Sequence, residues 1–299
     1  MTEGVIDGGL LVEQTDDRRL RPRLPFSPWH LFLFPLLIVM LFPVLWMVLT
    51  SIELPAEARH FPPILVPKGI HWQNYPKALR AAPLGRFLLN TGVVAAATVG
   101  GNLLFCSMSG YAFARISFWG REVIFFLLLA TLMVPFQVTL IPSFLIIRWL
   151  GANVNAAVGI DSLGALILPN LVTVFGVFML RQFFRTLPVE LEEAARIDGA
   201  SRLGVLFKII LPLSAPALAT LAALTFLASW NDFIWPLVVI QSPENMTVQL
   251  GLATFQGAHS TAWTLLMAAN VISLVPMLVV FFAAQRYFVR SVATTGLKG

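Results

Sequence analysis

Apolar runs of about twenty residues, parted by short polar stretches, recur along the chain once its first 27 residues are passed. They fall near His30 to Thr50, Leu89 to Ala112, Glu122 to Pro142, Gly164 to Phe184, Leu213 to Leu237 and Ala262 to Gln285. A helix crossing a hydrocarbon layer needs ~20 such residues, because every backbone N–H and C=O must be paired inside a segment that water does not reach. The pattern predicts an all-α, polytopic membrane protein with six transmembrane helices. Its first run is too long for a signal-peptide core and ends without a small-residue cleavage site, so it reads as a retained helix. Arg18 and Arg19 lack the rest of a twin-arginine signal and read as a basic flank.

Composition sharpens this picture. Of 299 residues 58% are hydrophobic and 12% charged, against roughly 25% charged in soluble domains. With six spans both termini share one side. That side would carry Arg18, Arg19, Arg21 and Arg23, the pair Arg115 and Arg121, the cluster Arg181, Arg185, Arg196, Arg202 and Lys208, and finally Arg286, Arg290 and Lys298. The other side would carry only Arg59, Lys68, Lys77, Arg80, Arg86 and Arg148. Basic residues concentrate on the cytoplasmic side, which predicts cytoplasmic termini in a bacterial or archaeal inner membrane. The net charge of +5 is then a matter of topology and gives no reason to expect nucleic acid. Trp29, Trp119, Trp149, Trp235 and Trp263 fall at predicted helix ends, where an amphipathic ring suits the headgroup layer. The single cysteine, Cys106, reads as core packing.

Several chemistries lack their residues. A phosphate-binding loop needs glycine directly before its lysine, but the four lysines follow Pro67, Pro76, Phe207 and Leu297. His30, His60, His71 and His259 lack zinc-ligand spacing. Ion-coupled transporters carry ionisable groups inside their spans. Here only Asp232 stands out, and on a helix starting near Leu213 it lies about 28 Å along the axis, near the outer interface. No nucleophile and base stand at workable spacing, which disfavours a membrane enzyme. Pro43, Pro135, Pro169 and Pro276, with Gly92, Gly100, Gly101 and Gly110, predict kinks and close helix contacts.

The segment 181–212, between the fourth and fifth runs, reads as a helix, a turn and a second helix on the cytoplasmic side. Pro188 suits a first helical position, and Glu190, Glu192 and Glu193 suit the positive end of a helix dipole. Leu191, Ala194 and Ala195 form a small apolar face. Gly199 allows a reversal, and Ser201 can cap a helix whose apolar residues lead to Pro212. Such a short, acidic and small-residue helix looks like a docking knob, while its carboxylates argue against attraction to anionic lipid.

The run Glu193-Ala194-Ala195-Arg196-Ile197-Asp198-Gly199-Ala200-Ser201, with Ile210-Leu211-Pro212 and Pro216 after it, closely resembles the EAA loop of permeases from binding-protein-dependent ABC importers. Met133 to Pro142 and Ser229 to Leu237 resemble the third and fifth spans of the carbohydrate-uptake branch, of the second, maltose-transporter-like type. The ending Gly296-Leu297-Lys298-Gly299 resembles that branch's cytoplasmic tail, and the likeness runs from Pro28 to Gly299.

The resemblance implies three parts: a polar cytoplasmic segment 1–27, a six-helix transmembrane domain 28–289 holding the coupling loop 181–212, and a cytoplasmic tail 290–299. It implies a non-enzymatic permease that moves a sugar or related polyol, with ATP and Mg bound by the partner ATPase and no cofactor on this chain. The expected partners are a second homologous permease, two ATPase subunits or a homodimeric ATPase, and an extracytoplasmic solute-binding protein. Glu193, Ala194, Ala195, Asp198 and Gly199 would serve docking to the ATPase. Asn231 and Asp232 are read either as solute contacts or an outer gate, or as the polar end of an interfacial helix. Gln137 and Asn170 face either a polar path or a neighbouring helix. A non-carbohydrate solute such as a glycerol phosphate or a peptide stays open at this point.

Overall fold

The computed structural model describes residues 29–62, 64, 67–257 and 261–295, with side chains in the last segment through Arg286. The leader 1–27, His259 and the side chains of the tail 290–299 lie outside these described residues. The chain divides into two compact units, one through Leu45 and one from Trp46. Described residues are helical almost throughout, with one isolated β-bridge between Gln256 and Thr261.

Among the described residues four helical stretches are long and apolar enough to cross a membrane: Trp29–Ser51, Leu84–Arg115, Leu163–Thr186 and Trp263–Arg286. Two further pairs pass the same test only as bent units. By length and composition the described residues thus hold four spans, or up to six if each bent pair is counted as one. The elements are α1 (Trp29–Ser51), α2 (Asn74–Ala81), α3 (Leu84–Gly101), α4 (Ser107–Arg115), α5 (Arg121–Ala130), α6 (Phe136–Asn153), α7 (Leu163–Ile167) and α8 (Val174–Thr186). They continue with α9 (Glu190–Ile197), α10 (Arg202–Val205), α11 (Leu211–Leu213), α12 (Ala215–Trp230), α13 (Ile234–Val239), α14 (Val248–Ala253) and α15 (Trp263–Thr295).

The third apolar run is not straight. Arg121–Met133 and Phe136–Asn153 meet at 105°. Proline disfavours the helical region for the residue before it, and Val134, ahead of Pro135, is extended with ψ 116°. At the start of the fifth run Arg202–Leu213 meets Ala215–Trp230 at 82°. Pro216 has no N–H for the carbonyl four residues back, and Ser214 sits at the break, its hydroxyl donating to the Ile210 carbonyl at 2.7 Å. Pro43 and Pro276, by contrast, lie inside continuous helices. The fourth run is interrupted between Asn170 and Val174, and α3 passes into α4 through a π-helical turn, Asn102–Cys106.

Asn102 joins these two irregularities. Its amide donates to the Asn170 carbonyl at 2.6 Å, and its oxygen accepts the Thr173 hydroxyl at 2.7 Å. Backbone groups freed by a helix break need such partners where no water is available. Along the rest of this contact α4 and α8 pack closely, since a Cβ on Gly110 would stand 3.1 Å from the Arg181 nitrogen. Cys106 is fully buried beside Val177, Leu180 and Leu221, as expected of a core residue. Trp29, Trp119, Trp149 and Trp263 are exposed, in keeping with an interfacial belt. Trp235 differs: it is 3% exposed and donates to the Ala165 carbonyl at 3.0 Å, so it is a core residue.

Candidate functional site

The segment between α8 and α12 forms the expected helix, turn and helix, with one face reversed. α9 begins at Glu190, two residues after Pro188. Leu191 and Ala194 are exposed, and Glu192, with part of Ala195, is turned inward. Leucine would satisfy an inward position by burial alone, whereas a carboxylate there needs a partner. Glu192 has two. The Tyr111 hydroxyl donates to Oε2 at 3.0 Å, and Arg115 Nε lies 2.7 Å from Oε1, as a charge contact whose angle falls short of a hydrogen bond. The rest of the Arg115 guanidinium reaches the end of α8, with Nη2 donating to the carbonyls of Phe184 (2.7 Å) and Leu187 (2.6 Å).

A second arginine ties the neighbouring ends. Arg181 Nη2 donates to both oxygens of Glu122 at 3.1 and 2.9 Å, its Nε to the Phe113 carbonyl, and its guanidinium lies 3.8 Å over the Phe125 ring. The ends of α4, α5 and α8 are therefore tied together, and Tyr111 and Arg115 of α4 extend the tie to α9.

The outer side of α9 is exposed among the described residues. Glu193, Ala194, Asp198 and Gly199 are exposed, Ala195 is half-buried, and Ile197 is 87% exposed. Gly199 ends the helix with φ +85°. The Ala200 N–H donates to the Ala195 carbonyl at 2.9 Å and the Gly199 N–H to that of Arg196 at 3.1 Å, which is a Schellman cap. A Cβ on Gly199 would meet nothing within 4 Å, so the glycine is required by backbone conformation. Ser201 then caps α10, its hydroxyl accepting the Gly204 N–H at 3.1 Å.

Farther along the same unit a cavity of about 620 Å³ opens among α3, α6, α8, α12 and α13. Its polar wall includes Thr98, Asn170, Thr173, Asp232 and Thr247, and its aromatic wall Phe136, Phe175 and Trp235. The hydroxyls of Thr98 and Thr247 are buried and have no hydrogen-bond partner among the described residues. α12 stops at Trp230, so Asp232 stands in the turn before α13, where its Oδ1 accepts the Trp235 N–H at 3.4 Å. The uninterrupted helix expected through Leu237 is thus replaced by two helices and a turn. Asn231 bonds back to the Leu227 carbonyl, and both it and Gln137 are exposed outside the cavity wall. The Asn170 amide donates to its own turn, to Leu166. Glu192, Arg115, Thr98 and Thr247 escaped the sequence reading. The surplus carboxylate in Glu192-Glu193 was the one available signal for the first pair.

Among the described residues no cluster of three or more His, Cys, Asp or Glu side chains could hold a metal ion.

Known proteins share both the sequence and the architecture. Residues 104–294 match the family described as binding-protein-dependent transport system inner membrane component. The arabinooligosaccharides transport system permease protein AraQ of Halalkalibacterium halodurans is 43% identical over 199 residues, 66% of this chain and 68% of that protein. The sn-glycerol-3-phosphate transport system permease protein UgpE of Yersinia pestis bv. Antiqua is 34% identical over 269 residues, 87% of this chain and 93% of that protein. A chain of a bacterial ABC transporter that imports the acidic polysaccharide alginate superposes with a TM-score of 0.76 at 24% identity, covering 88% of this chain and 99% of that one. An all-helical chain with four apolar spans and two bent pairs, matched over most of its length, belongs to the family of binding-protein-dependent transport system inner membrane components.

Proposed function

We propose that this chain is one of two permease halves of an ATP-driven importer, and that α9 is the element docked by a separate ATPase. The observation that carries this reading is the presentation of α9: Glu192 anchors it from beneath, while Glu193, Ala194, Asp198 and Gly199 stay exposed around a fixed cap. In the assembled importer an extracytoplasmic binding protein delivers the solute, and both termini and the 181–212 segment lie in the cytoplasm. ATP and Mg belong to the partner.

The solute path of this half runs through the cavity. Asp232 serves it as an acceptor, and Asn231 and Gln137, exposed outside the cavity wall, serve as solute contacts or an outer gate. Among the described residues that line the cavity, the one ionisable side chain is the acid Asp232. A phosphate would find no cation among these described residues, so a neutral, hydroxyl-rich solute such as a sugar oligomer fits better than a glycerol phosphate.

The docking test is to purify complexes carrying Glu193→Ala and Gly199→Asp. Normal membrane insertion with lost ATPase is the expected result, and full retention with normal solute-stimulated hydrolysis in both variants would remove the assignment. For the solute, uptake of an arabino-oligosaccharide and of glycerol 3-phosphate should be compared, with uptake of the anion alone counting against the cavity reading.

A further inference from the structure

Docking energy alone does not make an importer, since movement of α9 has to reach the spans. α9 has eight residues, is exposed along its outer side, and joins α8 through the short extended link at Leu187-Pro188. A link of that kind does not by itself transmit a push. The side chain that bridges the gap is Arg115, at the last position of α4. One guanidinium meets Glu192 of α9 through Nε and the carbonyls of Phe184 and Leu187 through Nη2, and Tyr111, one turn earlier on α4, holds the other Glu192 oxygen. Arg115 and Glu192 retain 15% and 8% of their side-chain exposure. Arginine suits this place because its planar fork can serve a carboxylate and backbone carbonyls at once, which a lysine ammonium at the end of a flexible stem does not do in fixed geometry.

Resting on the reading of α9 as the ATPase-docking element, we propose that Arg115 is a positioning residue that clamps α9 to α4 and α8, so that the three move as one body and the ATPase drives the cavity through Glu192, while Glu193 holds the ATPase itself. Docking and transmission are thus carried by adjacent carboxylates about 100° apart around one helix, Glu192 turned inward and Glu193 exposed. Their loss should give different defects.

The complete transporter, reconstituted in liposomes with its own ATPase, separates them. In a Cys106→Ser background, Ser229→Cys places a label site on the cavity wall, and its maleimide labelling rate is compared with and without MgATP and vanadate. In the parent this rate is expected to change with nucleotide. In Arg115→Met and Arg115→Lys the nucleotide-dependent change should shrink at least about fivefold, the lower end of ordinary coupling between sites, with ATPase still bound. Glu192→Gln, which keeps an acceptor for Tyr111, should show the same direction of effect. Arg115→Lys is the decisive variant, because it retains the charge and loses the fork: a native-like response from it would overturn the clamp. So would a native response from Arg115→Met, or loss of ATPase from the Arg115 variants, since the residue would then act in docking itself. If Arg115→Met fails to accumulate while Arg115→Lys and Glu192→Gln respond as the parent does, the role is structural and the proposal falls. Failure of the docking reading is seen elsewhere, as ATPase retained by Glu193→Ala and Gly199→Asp.

Discussion

Gly199 shows how one backbone angle can shape the exposed surface proposed for docking. With φ +85° and open space around its missing Cβ, an alanine there meets a penalty of ~1 kcal/mol from conformation alone. Asparagine tolerates the left-handed region better, so Gly199→Asn should retain more ATPase than Gly199→Ala in a pull-down at equal membrane levels. Glu193→Ala should weaken docking more, since a desolvated charge contact at an interface is worth ~2 to 5 kcal/mol when one partner is removed. Asp161 is a second residue with positive φ, +62°, in the turn before α7. Partial burial pushes its carboxyl up, but N–H groups of Ser242 and Gln241 donating to Oδ1 at 2.9 and 3.0 Å outweigh that and hold it below its ordinary value. Its stabilising contribution is therefore complete above the unfolded value of about 3.9 and lost as pH falls through the lower folded value. Asp161→Asn, which tolerates the same left-handed backbone, should lower the melting temperature at pH 7 and lose that difference in strong acid; an equal deficit at both would show that the carboxylate charge is not involved.

At the scale of elements, the breaks matter more than the helices. Where α7 gives way to α8, and α12 to α13, the walls of the cavity gain the side chains of Asn170, Thr173 and Asp232. Thr98 and Thr247 add hydroxyls that are buried and unpartnered within this chain, a state that costs about 1 to 3 kcal/mol for each group. Thr98→Val and Thr247→Val keep the shape and remove that cost, so each should leave the melting temperature unchanged or raise it. If a change of conformation turns the hydroxyls to the solute, the same variants should lower uptake. A fall in both quantities would mean that the hydroxyls serve the fold. Asp232→Asn likewise should reduce uptake at normal subunit yield.

Across the whole molecule, orientation is the property from which all other assignments take their sense. Trp119, in the turn between α4 and α5, and Val154, after α6, are both well exposed. Trp119→Cys should be labelled only from the cytoplasm of sealed cells and Val154→Cys only from outside, in a Cys106→Ser background. Labelling of both from one side would end the six-span arrangement. Much of this could be read directly along the chain. Runs of ~20 apolar residues specify membrane helices because backbone polar groups in lipid have no partner but their own helix, and that demand is local. The Glu193 to Ser201 run was equally legible, since a cap, a positive-φ glycine and a first-turn carboxylate act within a few residues. What lay beyond one turn of helix was decided only by tertiary structure. The inward side of α9 could not be read from its period, because Glu192 is buried by Tyr111 and Arg115, 81 and 77 positions earlier, and not by its own hydrophobicity. Trp235 carried the composition of an interfacial residue and became core once the Ala165 carbonyl met its indole. Asp232 lost its place on a continuous helix when α12 ended at Trp230 and the turn aimed it at the cavity. Local sequence fixes how a backbone satisfies itself, but where a polar side chain points depends on which distant groups are left to satisfy it.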